Sequence, residues 1–381
     1  MTGQFSLTDD QLAIQEMARR FTADNITPFA GEWDEKSYFP RDVIRQSGEL
    51  GFGSIYVSEE AGGINLGRLD AALIMEAMAY GCPTTSAYIS IHNMAAWMID
   101  CFGSEQLKSR YLPKLVTMEH IASYALTEPA SGSDAAGLKT SANIDGDHYV
   151  LNGTKQFTSG GGVNDIYVVM VRTSEDKTKG ITCLVVEKDT PGLSFGKPEK
   201  KLGWNASPTA QLIFEDCRVP ITNRVGAEGE GFRFAMAGLD GGRLNIGACS
   251  LGGAQRCLDE AIKYTKDRKQ FDRPVADFQN TQFMLADMAT ELEAARALLY
   301  IAAAKVTENA PDKTRFSAMA KRLATDSGSN VVNNALQLFG GYGYLKEYPI
   351  ERYWRDLRVH SILEGTNQVM RMIVGRDLLR Q

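Results

Sequence analysis

The chain has 381 residues, 44% of them hydrophobic and 23% charged, the composition of a soluble globular protein and not of a fibrous or disordered one. That length exceeds one ordinary hydrophobic core, so roughly two or three domains are expected. A net charge of −6 argues against nucleic acid or an anionic membrane surface as partner, and no run of about 18 uninterrupted apolar residues offers a membrane span.

Residues 1–120 read as an N-terminal helical domain. The first six residues, Met1 to Ser6, lack the basic and apolar regions of a signal peptide. Thr8 and Gln11 have capping-box spacing, and Ile14, Met17, Ala18 and Phe21 follow with the period of an amphipathic helix that Pro28 ends. Pro40 opens a second helix, which the stretch from Gly48 to Gly53 closes. Leu69 to Tyr80 and Ala87 to Ile99 are apolar on most faces, as buried helices are, and a shorter helix precedes Pro113.

Residues 121–228 carry β signals. Asp145-Gly146 and Asn152-Gly153 read as two hairpin turns separating strands at 140–144, 148–151 and 154–157, an antiparallel meander. Ile166 to Val171, Ile181 to Val186 and Ala210 to Phe214 read as further strands of a small sandwich or barrel. Residues 229–381 return to helix. Leu239 to Tyr264 is rich in small residues that let neighbouring backbones approach. Leu285, Met288, Leu292, Ala295, Leu299 and Ala302 form one buried stripe, and 314–338 forms a third long helix before a turn at Gly340 to Gly343. The fold class is α+β: a helical domain, an antiparallel β domain and a four-helix-type bundle.

The six cysteines form no C-x-x-C pair, and the four histidines no H-E-x-x-H. No metal is expected; the thiols read as buried or incidental in a reducing compartment, with cytoplasm the default. There is no G-x-G-x-x-G, Walker or G-x-S-x-G motif, which sets aside Rossmann dehydrogenases, P-loop NTPases and α/β-hydrolases.

Four stretches are candidates for chemistry. Tyr124 to Asp134 ends a strand in small hydroxyl residues and glycines, which suit the polar edge of a ring or a phosphate, or merely form a polar loop. Lys155 to Gly162 sets an aromatic beside hydroxyls and three glycines, or is a hairpin end. Asp267 to Pro274 is a basic, aromatic loop whose Arg268 could fork onto a phosphate or stay solvated. Between Arg358 and Gln368 one carboxylate, Glu364, follows the apolar Val359, Ile362 and Leu363 at the mouth of a helix. It is either a helix-start charge facing the dipole or a general base raised by desolvation.

Taken together, Leu126-Thr-Glu-Pro-x-x-Gly-Ser-Asp134, Arg268-x-Gln-Phe271, Gln337-x-x-Gly-Gly-x-Gly343 and Leu363-Glu-Gly-Thr-x-Gln368 resemble the acyl-CoA dehydrogenase family over essentially the whole chain. Phe157 and Ser159, where many relatives have Trp and Thr, resemble its isobutyryl-CoA branch. The resemblance implies a flavoenzyme, usually a homotetramer, with FAD between the β domain and the C-terminal bundle. It implies α,β-dehydrogenation of a short branched acyl-CoA, isobutyryl-CoA to methacrylyl-CoA in valine breakdown, with electrons passed to an electron-transfer flavoprotein. By position, Tyr124, Leu126 and Thr127 would line the flavin, with Phe157 and Ser159 beside it. Arg268, Phe271 and Gln279 would reach the FAD of a neighbouring subunit, Gln337, Gly340 and Gly341 would hold its adenosine and pyrophosphate portion, and Thr366 and Gln368 would touch FAD again. Ser133, Asp240, Gly242, Arg243, Gly365 and Arg376 would meet the CoA thioester, Gly365 by leaving it room. Glu364 would be the base: the position that carries the glutamate in some members is Gly242 here. Alternatives are a 2-methylbutyryl or straight short chain, an oxidase-like member, or a catalytically dead CoA-binding or scaffold protein.

Overall fold

The computed structural model describes residues 7–380, so the stretch Met1 to Ser6 read above for targeting lies outside them. Helix α1 (Asp9–Asn25) starts with the expected capping box: Gln11 N donates to Thr8 Oγ1 at 3.2 Å and Thr8 N to Gln11 Oε1 at 3.1 Å. Its buried side is Gln15, Ala18 and Thr22, while Met17 is 37% exposed. The seam chose small residues over the apolar stripe because the last residue of α4 (Arg68–Gly81) comes so close that a Cβ on Gly81 would strike Thr22. A seven-residue helix, α2 (Ala30–Lys36), precedes α3 (Arg41–Glu49) and had no signal of its own in the sequence. Helices α4 and α5 (Pro83–Phe102) are buried on nearly every side, as their composition required. The next helix, α6 (Glu105–Val116), runs on through Pro113 and does not stop before it.

Eight strands follow: β1 (Ala122–Ala125), β2 (Ser141–Asp145), β3 (His148–Ser159), β4 (Ile166–Arg172), β5 (Ile181–Glu187), β6 (Leu193–Phe195), β7 (Thr209–Pro220) and β8 (Arg224–Val225). Their order is β6-β7-β3-β2-β4-β5-β8, with β1 beside β4. Most pairs are antiparallel, but β1 runs parallel to β4, and so does β2 where they touch. That touch is one residue pair, Ser141 with Arg172. The two halves of the sheet therefore fold over a shared core that includes Tyr149, Leu151, Phe214, Val169 and Leu184. Side chains alternate along β4. Tyr167, Val169 and Val171 enter that core, and Ile166, Val168 and Met170 face α5 and α6, so the strand is apolar throughout.

Asp145-Gly146 is a hairpin turn, with Asp145 paired to His148. Asn152-Gly153 is not: both lie within the 12-residue β3 at a bulge against β7. Gly153 has φ +142°, and a Cβ there would sit 2.7 Å from Thr140 Cα. Asn152 exchanges hydrogen bonds with Asp216 across the bulge, at 3.0 and 2.9 Å. The pair carries the chemistry of a turn and uses it to bend a strand.

The C-terminal part comprises α7 (Gly231–Asp267), a hairpin of β9 (Lys269–Gln270) and β10 (Arg273–Pro274), α8 (Gln279–Thr307), α9 (Lys313–Phe339), an unforeseen α10 (Ile350–Leu357) and α11 (Asn367–Leu378). Buried Met288, Leu292, Ala295, Leu299 and Ala302 form the predicted stripe of α8. A Cβ on Gly252 of α7 would overlap the carbonyl of Glu76 on α4, the close approach the small residues imply. One continuous core holds residues from α1, α4 and α5 together with α7 to α10, so both ends of the chain share it.

Candidate active site

Glu364 sits in a short irregular link before α11. A turn of 3-10 helix, Arg358–Ser361, ends with Ile362 N and Leu363 N both donating to Val359 O, at 2.8 and 3.0 Å. Glu364 then has φ +52° and Gly365 φ +91°. Glycine takes that region freely, but for a glutamate it costs on the order of 1 kcal/mol or more, and such strain concentrates at functional sites. Thr366 restores order as the N-cap of α11: its Oγ1 accepts from Val369 N at 3.2 Å. The amide of Glu364 donates to no backbone acceptor among the described residues.

The carboxylate lies over Gly242 of α7. A Cβ added there would collide with Oε2 and stand 3.0 Å from Cδ. The helix can therefore carry a side chain at 242 or accept the Glu364 carboxylate, but not both. Glu364 keeps partial exposure as a residue, yet Oε2 itself is buried and has no hydrogen-bond partner. Burial pushes its pKa up to about 7, against the opposing positive charges of Lys321 and Arg243. The space that a Cβ on Gly365 would need is occupied by the Met370 methyl, so a neighbouring side chain, not open room, accounts for the glycine there.

Two buried cations flank this link. Arg243 of α7 donates Nε to Glu364 O at 3.4 Å and Nη1 to Asp240 Oδ1 at 2.9 Å, and Asp240 accepts from Thr314 Oγ1 at 2.6 Å. Lys321 of α9 is fully buried and donates to Gly365 O at 2.8 Å and to Asn367 Oδ1 at 3.0 Å. Burial lowers its pKa to about 8. Beneath lies His360, also fully buried. Trp204 Nε1 donates to its Nε2 at 3.3 Å, and Ser250 Oγ lies 2.7 Å from its Nδ1. An indole can only donate, so Nε2 accepts and Nδ1 carries the proton.

The β domain adds a second wall. Tyr124 Oη is buried and unpartnered; burial, then Cys183, then the Glu364 charge hold its phenol well above the usual range. The amides of Leu126 and Thr127, just past β1, donate to no backbone acceptor among the described residues. A buried ion pair holds this segment in place. Lys155 Nζ donates to Leu126 O at 3.2 Å and to Glu128 Oε1 at 2.7 Å, while Glu128 also accepts from the amides of Lys139 and Thr140. Phe157 is 64% exposed at φ +57°, in the irregular part of β3, and Ser159 accepts through its carbonyl from Ser123 Oγ. Ser133, Gln368 and Arg376 are exposed and make no side-chain hydrogen bond or ion pair within the described residues.

A separate group forms at the far end of α9. Arg268, Gly340, Gly341, Tyr342, Tyr264 and Phe339 line a cleft of about 470 Å³. A Cβ on Gly340 or Gly341 would meet nothing within 4 Å. Arg268 lies over the Tyr342 ring at 5.5 Å, and Tyr264 stacks on Phe339 at 4.2 Å. Gln337, Gln279 and Phe271 are exposed, Phe271 to 88% at the tip of the β9–β10 hairpin. Lys321 and Gln337 share α9, roughly 24 Å apart at ~1.5 Å per residue. The predicted residues thus fall into two groups, one around Glu364 and one around Gly340.

Lys321 escaped the sequence analysis, while Asn367, Glu128 and Lys155 lay inside candidate stretches without a role of their own. One signal was present: Lys321 falls among Ser317, Ala320, Ala324, Thr325 and Gly328, on the small-residue face of α9.

Residues 8–119, 123–217 and 229–379 match the N-terminal, middle and C-terminal domains described for acyl-CoA dehydrogenases. The chain belongs to the acyl-CoA dehydrogenase family. It is 58% identical to the mitochondrial isobutyryl-CoA dehydrogenase of Dictyostelium discoideum, over 98% of this chain and 90% of that protein. Identity to the Bos taurus protein of the same name is 54%, with the same coverage. Among solved structures, a chain from work on the electron transferring flavoprotein of Acidaminococcus fermentans superposes with TM-score 0.97 at 43% identity, over 99% of this chain and all of that one. Butyryl-CoA dehydrogenase from Megasphaera elsdenii gives 0.96 at 39% with the same coverage. PigA with FAD and proline gives 0.96 at 30%, again with the same coverage.

Proposed function

We propose that this chain is an FAD-dependent dehydrogenase of short branched acyl-CoA thioesters, converting isobutyryl-CoA to methacrylyl-CoA, with Glu364 as the base that removes the α proton. The observation that carries the reading is the state of Glu364. Its Oε2 is buried without a partner, its carboxyl is raised to about 7, and its own amide is unspent. A base poised near the working pH can take a proton and later release it. The free amide is placed to donate to the thioester carbonyl as negative charge develops on its oxygen, and one such oriented donor is typically worth about 3 to 4 kcal/mol.

The β-domain wall fits a flavin. The Leu126 and Thr127 amides and the Tyr124 hydroxyl are donors without protein partners, beside an exposed Phe157 ring. Bound FAD supplies the two-electron acceptor that receives the β hydrogen as hydride. Glu364 supports the same step by accepting the α proton, and the buried walls keep water from competing. The small-residue cleft at Gly340 and Gly341, with Arg268 at its rim, suits a pyrophosphate and adenosine supplied by the FAD of a neighbouring subunit. That cleft calls for a second subunit, and the homotetramer is what the family resemblance implies. The names of the two relatives support the isobutyryl chain, and the likeness to the Acidaminococcus structure supports an electron-transfer flavoprotein as acceptor. Cytoplasm remains the proposed location; the six cysteines are free thiols, five of them buried, as in a reducing compartment. The chain is read as three units, 1–120, 121–228 and 229–381.

Anaerobic titration with isobutyryl-, 2-methylbutyryl- and butyryl-CoA, followed by flavin absorbance, tests the substrate. Isobutyryl-CoA should bleach the flavin with the highest kcat/KM, and a preference for butyryl-CoA would replace the branched reading with a straight-chain one. Glu364→Gln should retain FAD yet bleach at least ~100-fold more slowly; unchanged bleaching would remove Glu364 from its role.

A further inference from the structure

Lys321 is a buried ammonium that touches no carboxylate. Its contacts are a backbone carbonyl, Gly365 O, and a side-chain amide, Asn367 Oδ1. Burying a charge without a contacting counter-ion costs several kcal/mol, so the position calls for a reason. Asn367 is itself held: its Nδ2 donates to Thr325 Oγ1 at 2.9 Å and to Asp326 Oδ1 at 2.6 Å, one turn further along α9. The Lys321 contacts therefore tie the start of α11 to α9 through a rigid pair of residues.

The neighbouring carbonyl shows what this tie holds. Glu364 O is bound by Arg243 from α7, and Gly365 O by Lys321 from α9. Two successive peptide carbonyls, on either side of a glycine at φ +91°, are thus gripped by buried cations from two different helices. Neither cation pairs with the Glu364 carboxylate, whose Oε2 stays free, and Arg243 spends its ion pair on Asp240. Arg243 acts on the backbone of Glu364 and Lys321 on that of Gly365, and the Glu364 side chain is left available for a proton.

We propose that Lys321 is a positioning residue for the base. Together with Arg243 it clamps the carbonyls of residues 364 and 365, holds the strained left-handed turn, and keeps the Glu364 carboxylate over Gly242. The inference rests on Glu364 being the base. A second consequence is electrostatic. The charged and titratable groups around Glu364 are Arg243, Asp240 and Cys249 on α7, Lys321 on α9, Tyr124 on β1 and Tyr56 from the turns after α3. Lys321 is the first of the two positive charges that counter the effect of burial. Loss of its charge should move ionisation of the base to higher pH.

The test compares Lys321→Met, Lys321→Arg and Glu364→Gln as flavin-loaded enzymes. Lys321→Met should keep its FAD content and a KM close to the parent. Its kcat should fall about 10- to 100-fold, as a small misplacement of a catalytic group produces. The acid limb of its kcat/KM profile should rise by about one pH unit. Titration of the Glu364 carboxyl by difference infrared spectroscopy, without substrate, should show the same shift. Lys321→Arg retains the charge and should keep the acid limb in place while losing rate. If Lys321→Met does not fold, a displaced acid limb in Lys321→Arg overturns the proposal on its own. Folded Lys321→Met with parental kcat and carboxyl titration overturns the clamp, and inactive Glu364→Gln beside it leaves the assignment of the base intact. Bleaching that persists in Glu364→Gln overturns both.

Discussion

The two groups of site residues differ in how complete they are within one chain. Around Glu364 the described residues already supply a buried oxygen, a strained turn, two cations in fixed hydrogen bonds and a histidine in one tautomer. Around Gly340 they supply an open cleft, an exposed arginine and a phenylalanine 88% exposed at a hairpin tip. The first group is preorganised by packing from three long elements. The second has walls on one side only, the open side being where the proposed neighbouring subunit would stand. A catalytic base must be held before substrate arrives, because its geometry sets the rate, whereas a cofactor grip can be completed by assembly.

Substitutions can break this contrast or sharpen it. The largest effect is expected at Gly242→Ala, where the new methyl would displace the Glu364 carboxylate. FAD should remain bound while kcat drops on the order of 100-fold, measured by single-turnover flavin reduction. The next is a gain in stability. The folded pKa of Glu364 is raised to about 7 from the ordinary 4.5, so folding favours its neutral form. That contribution is fully present below about pH 4.5 and is lost as pH rises through 7. Glu364→Gln, permanently neutral, should therefore be more stable than the parent at pH 8. The gain is on the order of 2 kcal/mol after discounting for the partial exposure of the residue, and fades towards pH 4.5 in thermal melts. The smallest effect is expected in the other group. Arg268→Ala should weaken FAD retention about tenfold, roughly 1.4 kcal/mol, while flavin-saturated sites turn over normally. A fall in kcat at saturating FAD would show that the two groups are not separate in function.

The contrast also explains what could be read from the chain beforehand. Glu364 stood out because it is a carboxylate in an apolar run, and Gly242 because an alternative base position was empty. The residues alone left Glu364 open between a helix-start charge and a base, and only the family resemblance gave Gly242 its meaning. The buried stripe of α8 was visible from the residues alone, since six apolar side chains at helical period leave little choice. Lys321 was not visible, because a lysine reads as solvated unless the face it falls on is weighed, and its partners lie 44 and 46 residues away. Asn152-Gly153 misled because local turn chemistry and a strand bulge use the same residues, and pairing with β7 decides between them. Met17 misled because close helix approach at Thr22 outweighed the burial of one more apolar side chain.

His360 has one further consequence for the proposed chemistry. It lies four residues before the base, buried, with its pKa lowered to about 3 by burial and by Lys321, and its Nε2 is occupied by the Trp204 indole. It stays neutral and cannot pass a proton on. A deuterium lifted from the substrate α carbon onto Glu364 therefore finds no imidazole relay to the exterior. Exchange of that label with solvent should therefore depend on how solvent reaches the carboxyl itself, which the return of deuterium to the substrate α carbon would measure.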